Sequence, residues 1–541
     1  MHQRSVWFGA ALTFAGSARA QQAANLPAQI DQVFARFDQT TPGCAVGLAK
    51  DGRTLYTHGY GLANLEYRVP LTDSTVLESG SVAKQFTASA LVLLAQDGKL
   101  SLDDDIRKYL PEVPNFGHVI TIRNLLTHTS GLRDQWGLLG IEGLGPGTQV
   151  HSALTTLDLV AHQKMLNFPP GSRYLYSNTG YALAGLIVQR VSGMTLNAFT
   201  QERLFKPLGM MHTRWRDDFT AVVPNRATAY SGNANTGFKT DMPFTNMIGN
   251  GGILSTMSDL LIWNENLDHP TVGGPSYVNT MQTRMRLTNG RTITYALGLI
   301  DAPYRGNREV SHSGSTAGYQ TFLARYPEQH VSVAVWCNYT GAEPTALAHK
   351  VVDLVLTDAA SVVQAGSPAV HIEAGDAAKW AGTYRERFSD QTISVSSENL
   401  VAVISGQGAK GGGRFNALRG DVSFSGSGSH RAFTNARPDG DTLVFDEVKP
   451  APAQVRLADY TGIYASNELD VRLVIGAKNG KLALRRRPAD ELELRPEYAD
   501  DFQAGGGLGT LRFSRDRSGA VTGFSIYAGR VVDVRFTRIA R

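Results

Sequence analysis

The stretch Glu78-Ser-Gly-Ser81-Val-Ala-Lys84 leads into an apolar run through Leu94 that stops at Asp97-Gly98, which reads as a helix starting near Ser81. Three residues apart on a helix, the Ser81 hydroxyl and the Lys84 amine share one face and can touch. A lysine buried at a helix N-terminus has its neutral form favoured by desolvation and by the positive end of the helix dipole, so it could accept the serine proton. The bland reading of the same spacing is a helix-capping serine with a surface lysine. Two further stretches add company. Tyr176-Ser177-Asn178 follows the turn Phe168-Pro-Pro-Gly171, and His312-Ser313-Gly314-Ser315 opens a strand-like run that ends at Tyr326-Pro327.

Other chemistries find little support. No G-x-S-x-G nucleophile elbow exists, and the nearest lookalike, Gly314 to Gly318, carries threonine at its centre. The histidines are scattered without H-E-x-x-H spacing, so no metal or other cofactor is expected. Cys44 and Cys337 are too few for a disulfide scaffold; each lies in a strand-like run and reads as a buried thiol, free to pair if the two strands face each other. Fifty-two basic residues against 48 acidic ones give a net charge of +4, which argues against a nucleic-acid partner.

These residues need a frame of 541 residues, long enough for several domains. Arg4, the apolar run Val6 to Phe14 and Ala18-Arg19-Ala20 predict a signal peptide over 1–20 and hence export, to a periplasm or beyond. No later run is long enough to span a membrane. Helical and strand signals mix over 21–360, a Gly/Ser/Pro-bearing linker occupies 361–376, and β-rich units follow over 377–450 and 455–541. The clusters Trp380-Ala-Gly382-Thr-Tyr384 and Tyr460-Thr-Gly462-Ile-Tyr464 open those units and suggest a weak internal repeat. Arg485-Arg486-Arg487 reads as a solvated strand end, and Gly411 to Arg414 and Gly505 to Gly507 as loops.

In the order S-x-x-K, Y-x-N, H-x-G, the chain resembles the penicillin-recognising serine hydrolases: class C β-lactamases, D-alanyl-D-alanine carboxypeptidases, D-aminopeptidases and related esterases. Ile122-Arg-Asn-Leu-Leu-Thr-His128-Thr-Ser-Gly-Leu132 and Gly251-Gly-Ile-Leu-Ser255 also match, and the similarity covers roughly 27–357. The resemblance implies an α/β (α+β) β-lactamase-like catalytic domain, with a central antiparallel sheet flanked by helices, followed by two small antiparallel β-barrel-like domains. Its first and last strands would lie side by side, bringing Cys44 and Cys337 onto neighbouring strands.

By the same resemblance Ser81 would be the acylated nucleophile, Lys84 its proton acceptor and Tyr176 a proton shuttle. Asn178, His312 and Gly314 would contact substrate, and the backbone N–H groups of Ser81 and Ser315 would form an oxyanion hole. His128 falls in a scaffold stretch. His312 stands where β-lactamases usually carry lysine; a neutral imidazole attracts a carboxylate less, so β-lactam hydrolysis is not the expected activity. The expected substrate is a small amide, a D-residue peptide first, with an ester, weak β-lactamase action or a non-catalytic cell-wall-binding role as alternatives. In D-aminopeptidases a loop of the last barrel reaches the site, and Asp500-Asp501 to Gly507 is the corresponding candidate.

Overall fold

The computed structural model describes residues 25–356, 379–395, 402–403, 421–428, 430–436, 442–449, 451, 455–487 and 490–540. The expected signal peptide, the linker and Gly411 to Arg414 lie outside these residues. The strand Cys44–Lys50 is almost wholly apolar, and both its faces are covered. It sits inside a six-stranded antiparallel sheet between Arg53–Tyr60 and Val331–Cys337, followed by Tyr319–Tyr326, Asn307–Thr316 and Ile300–Tyr304. The first and last strands of the domain are thus neighbours, as the resemblance implied.

Alternation along these strands divides the core. Val46, Leu48, Val333 and Val335 pack against helices 25–34 and Pro344–Val352, while Ala45, Ala334 and Trp336 face the larger helical layer. In that layer the helix Lys84–Gln96 is buried from Lys84 through Leu94, because Asn178–Ser192, Met257–Asp268 and Gly274–Gln282 surround it. Gly47 allows Met257–Asp268 close to the sheet: a Cβ there would lie 3.2 Å from Leu261 and Met257.

The two appended units differ in closure. Strands Gly382–Glu386, Thr392–Val395, Ala402–Val403, Asp421–Ser425, Ala432–Ala436 and Thr442–Val448 form an open antiparallel sheet among the described residues, around Tyr384, Phe433 and Phe445. Eight strands from Gly462–Ala465 to Val531–Ala540 close into a barrel. The repeated sequence cluster has one structural meaning in both units: Tyr384 Oη donates to Trp380 O at 2.9 Å, and Tyr464 Oη donates to Tyr460 O at 2.7 Å.

The barrel core is continuous with the catalytic domain through Leu138, Leu139, Ile141 and Leu159. Arg486, expected in solvent, lies instead against the helix Gln135–Glu142 and bonds Gly140 O. The middle unit touches the loop before Tyr176, where Phe388 packs on Phe168 and under the Arg173 guanidinium.

Cys44 and Cys337 stand directly opposite on paired strands and are joined by a disulfide across 293 residues of sequence. Of the two readings left open for them, pairing is the one observed. Replacing both with serine removes a constraint on the unfolded chain, and the catalytic domain should lose about 2–4 kcal/mol of stability. Thermal unfolding with and without reductant checks this, and equal Tm values for the two proteins would contradict it.

Candidate active site

Ser81 lies in a short 3-10 turn, Gly80–Ala83, that runs into the helix beginning at Lys84. The turn is held from below and from the side. The buried Glu78 carboxylate receives N–H groups of Arg216 at 2.9 Å and of Arg226 at 2.9 Å, and Thr321 Oγ1 on the sheet donates to Ser79 O at 2.6 Å. Two glycines let the turn and the strand Asn307–Thr316 meet backbone to backbone. A Cβ at Gly314 would lie 2.0 Å from Ser79 O, and one at Gly80, whose φ is +50°, would lie 2.4 Å from Ser315 N. Gly314 and Ser315 are thereby held beside Ser81 at the rim of an open cleft of about 750 Å³.

Lys84 lies beneath that cleft, fully buried. Its Nζ is 3.0 Å from Ser81 Oγ, 2.9 Å from Asn178 Oδ1 and 2.7 Å from Asn250 O. Asn178 Nδ2 donates to Asp134 Oδ2 at 2.9 Å, which fixes the amide so that its oxygen faces Lys84. A neutral amine has two hydrogens and one lone pair. In that form Asn178 Oδ1 and Asn250 O would take the hydrogens and leave the lone pair toward the Ser81 hydroxyl. Burial pushes Lys84 well below the usual ammonium range; the Asp134 carboxylate opposes this and the Arg530 guanidinium reinforces it.

Tyr176 closes the other side of Ser81, with its ring 4.8 Å from Lys84 Nζ. Burial raises its phenol above the ordinary tyrosine value, while a hydrogen bond to Ser81 lowers it. The arrangement can pass a proton between an alcohol, an amine and a phenol without solvent. The turn carrying Tyr176 is fixed by Ser177 N–H donating to His128 Nδ1 at 3.1 Å and Asn178 N–H donating to Asp134 Oδ2 at 2.7 Å. His128 is therefore a scaffold residue, with its ring 4.1 Å from that of Tyr176.

His312 lines the wall opposite. Its Nδ1 pairs with Ser313 O at 2.6 Å and its Nε2 with Tyr295 Oη at 2.9 Å, so the carbonyl assigns the proton to Nδ1 and the phenol donates to Nε2. Burial pushes it down to about 3, with the hydrogen bond to Ser313 O opposing. The imidazole therefore supplies no cation to the cleft near neutral pH.

Sequence reasoning missed four participants. Asn250 contributes only a carbonyl, and Tyr295 acts through His312. Asp134 sits two residues past the matched stretch ending at Leu132, which was its one available signal. Arg530 comes from the barrel: it occupies the turn between strands Val521–Ala528 and Val531–Ala540, and its guanidinium lies 4.6 Å from the Tyr176 ring centroid. The proposed gate at 500–507 does not line the cleft. Asp500 is instead bound by Arg515 at 2.8 Å and Tyr460 Oη at 2.7 Å, within the barrel.

His128 and His312 are both neutral in the folded chain, so on acidification the unfolded chain takes up protons that the folded one refuses. The His312 contribution to stability is complete above about pH 6.5. It is lost as pH falls toward about 3. The slope is about 1.4 kcal/mol per pH unit for each histidine. The Tm of His312→Asn should fall less steeply than that of the parent from about pH 6.5 to about pH 4; parallel curves would contradict a neutral buried His312.

The profile of the Beta-lactamase family matches residues 30–357. A D-aminopeptidase of Brucella anthropi is 26% identical over 531 residues, covering 92% of this chain and 95% of that protein. Penicillin-binding protein 4* of Bacillus subtilis (strain 168) is 32% identical over 295 residues, 51% of this chain and 64% of that protein. The structure of the octameric penicillin-binding protein homologue from Pyrococcus abyssi shares the fold, with a TM-score of 0.55 at 23% identity over 86% of this chain and 98% of its own. Since the family match spans more than half of its length, the chain belongs to the Beta-lactamase family and is a serine hydrolase.

Proposed function

We propose that this protein is an exported hydrolase that cleaves a small amide, a short D-residue peptide, through an acyl-enzyme on Ser81. The observation that carries the reading is the buried Lys84 amine 3.0 Å from Ser81 Oγ and in contact with Asn178 Oδ1 and Asn250 O, with burial favouring its neutral form. Lys84 takes the hydroxyl proton as Ser81 attacks the acyl carbon. Tyr176 relays that proton to the leaving nitrogen, and in the second half-reaction it helps draw a proton from the incoming water. The N–H groups of Ser81 and Ser315 receive the developing oxyanion. Asn178 has one amide hydrogen not engaged by Asp134, suited to a substrate carbonyl, and His312 and Gly314 shape the opposite wall.

The D-residue preference is supported by the D-aminopeptidase relatives and by a histidine in place of a cationic residue at 312. Export is supported by the leader-like sequence of residues 1–20 and by the disulfide, which persists in oxidising compartments.

A fluorophosphonate probe should label the parent protein and leave Ser81→Ala unlabelled; labelling of both would remove Ser81 from the chemistry. The acylation rate should rise with pH as Lys84 loses its proton. A depressed Lys84 moves that rise to lower pH, so the plateau should be reached well below the free-lysine value of about 10.4. A midpoint at that value would overturn the neutral-amine mechanism. Turnover of p-nitrophenyl esters with no turnover of D-alanyl amides would replace the peptidase reading by an esterase.

A further inference from the structure

The lining of the cleft carries two arginines, Arg216 and Arg530, and no aspartate or glutamate among the described residues. Arg216 is committed: two of its nitrogens hold Glu78 at 2.9 Å and a third meets Thr245 O. Arg530 is placed differently. Among the described residues its guanidinium contacts the Tyr176 ring and lies 3.8 Å from Asp134 Oδ2, a carboxylate oxygen already receiving two N–H groups from Asn178. Its side chain remains 47% exposed, toward the cleft.

The backbone beneath this side chain is fixed to the catalytic domain. Arg530 O accepts from Asn167 Nδ2 at 3.0 Å and from Asp134 N–H at 3.4 Å, and Val532 N–H donates to Asn167 Oδ1 at 2.9 Å. Arg133, buried one residue before Asp134, donates to Val532 O at 3.1 Å and Asp533 O at 2.9 Å, and pairs with Glu468 of the barrel at 2.6 Å. The turn is therefore held rigidly against the cleft, and the exposed fork of donors at its tip is already positioned when a substrate arrives.

We propose that Arg530 is a specificity-determining residue that holds a free carboxylate on the substrate, so that the protein selects anionic D-residue peptides over substrates carrying a free amine in the same place. This deepens the reading of the site as a D-residue amidohydrolase and rests on it. A planar guanidinium receives a carboxylate through two parallel hydrogen bonds, and half-burial beside the Tyr176 ring lowers the competition from water. With His312 neutral, Arg530 is the cation in the lining whose donors are not already engaged. An ammonium group would meet the Arg530 guanidinium and no carboxylate of the lining.

The test separates binding from turnover. On Ser81→Ala, which cannot be acylated, N-acetyl-D-alanyl-D-alanine and its C-terminal amide are titrated by the fluorescence of Trp136, which lines the cleft. The acid should bind about tenfold more tightly than the amide. In Ser81→Ala/Arg530→Gln the two should agree to within about twofold, while Arg530→Lys retains part of the preference; matching Tm values show that each variant is folded. Equal binding of acid and amide to Ser81→Ala, binding of neither, or equal weakening of both by Arg530→Gln overturns the proposal. Turnover of the same pair by the parent protein tests the hydrolase reading separately: a charge preference in binding without turnover of either sinks that reading alone, and turnover of both at equal kcat/KM with equal binding sinks the role of Arg530 alone.

Discussion

Keeping an amine uncharged inside a protein requires that it be taken out of water and that its hydrogens still be received. Lys84 meets both conditions at the first turn of the most enclosed helix of the catalytic domain. A buried ammonium is costly unless paired, and the nearest carboxylate, Asp134, reaches Lys84 through the Asn178 amide rather than directly. Much of the surrounding architecture follows from that arrangement. The helical layer excludes water, Asn250 supplies a carbonyl, and the bare glycines at 80 and 314 allow the sheet to press against the turn that carries Ser81. A side chain at either glycine would separate the alcohol from the wall that completes the cleft.

Arg133 and Asp134 divide the work of joining the site to the rest of the molecule. The carboxylate of Asp134 turns inward to order Asn178 and the Tyr176 turn, and the guanidinium of Arg133 turns outward to the barrel backbone and Glu468. Adjacent residues on a short extended segment point to opposite sides, so one dipeptide carries both connections. The barrel is thereby part of the cleft wall, since its Val521–Ala528 and Val531–Ala540 hairpin delivers Arg530 over Tyr176.

The sequence was most legible where chemistry restricts residue type. A serine three residues before a lysine at a helix start, a Tyr-x-Asn turn and a His-x-Gly strand are local patterns, and the fold brings all three stretches to one cleft. The alternating strands of the appended units were equally local, and the fold class followed from them and from the resemblance. The remainder depended on long-range register. Arg530 lies in an ordinary Gly-Arg hairpin turn, and nothing within its own strand pair says that the hairpin is seated on Asn167. The Asp500 loop looked better suited because it is acidic and glycine-rich, yet Arg515 and Tyr460 hold Asp500 within the barrel. Asn250 contributes through its backbone carbonyl, which no residue type advertises, and Arg486 was read from its charge although its guanidinium bonds a backbone carbonyl of a neighbouring helix.

The cystine joining the first and last strands of the central sheet makes a covalent ring of everything from residue 44 to residue 337. A protease that nicked any surface loop inside that ring would leave the two pieces linked through the cystine and its paired strands. The barrel, in contrast, is joined covalently through a single passage of polypeptide beyond the ring, so after one cut there its shared core and the Arg133 contacts alone would keep the Arg530 wall in the cleft.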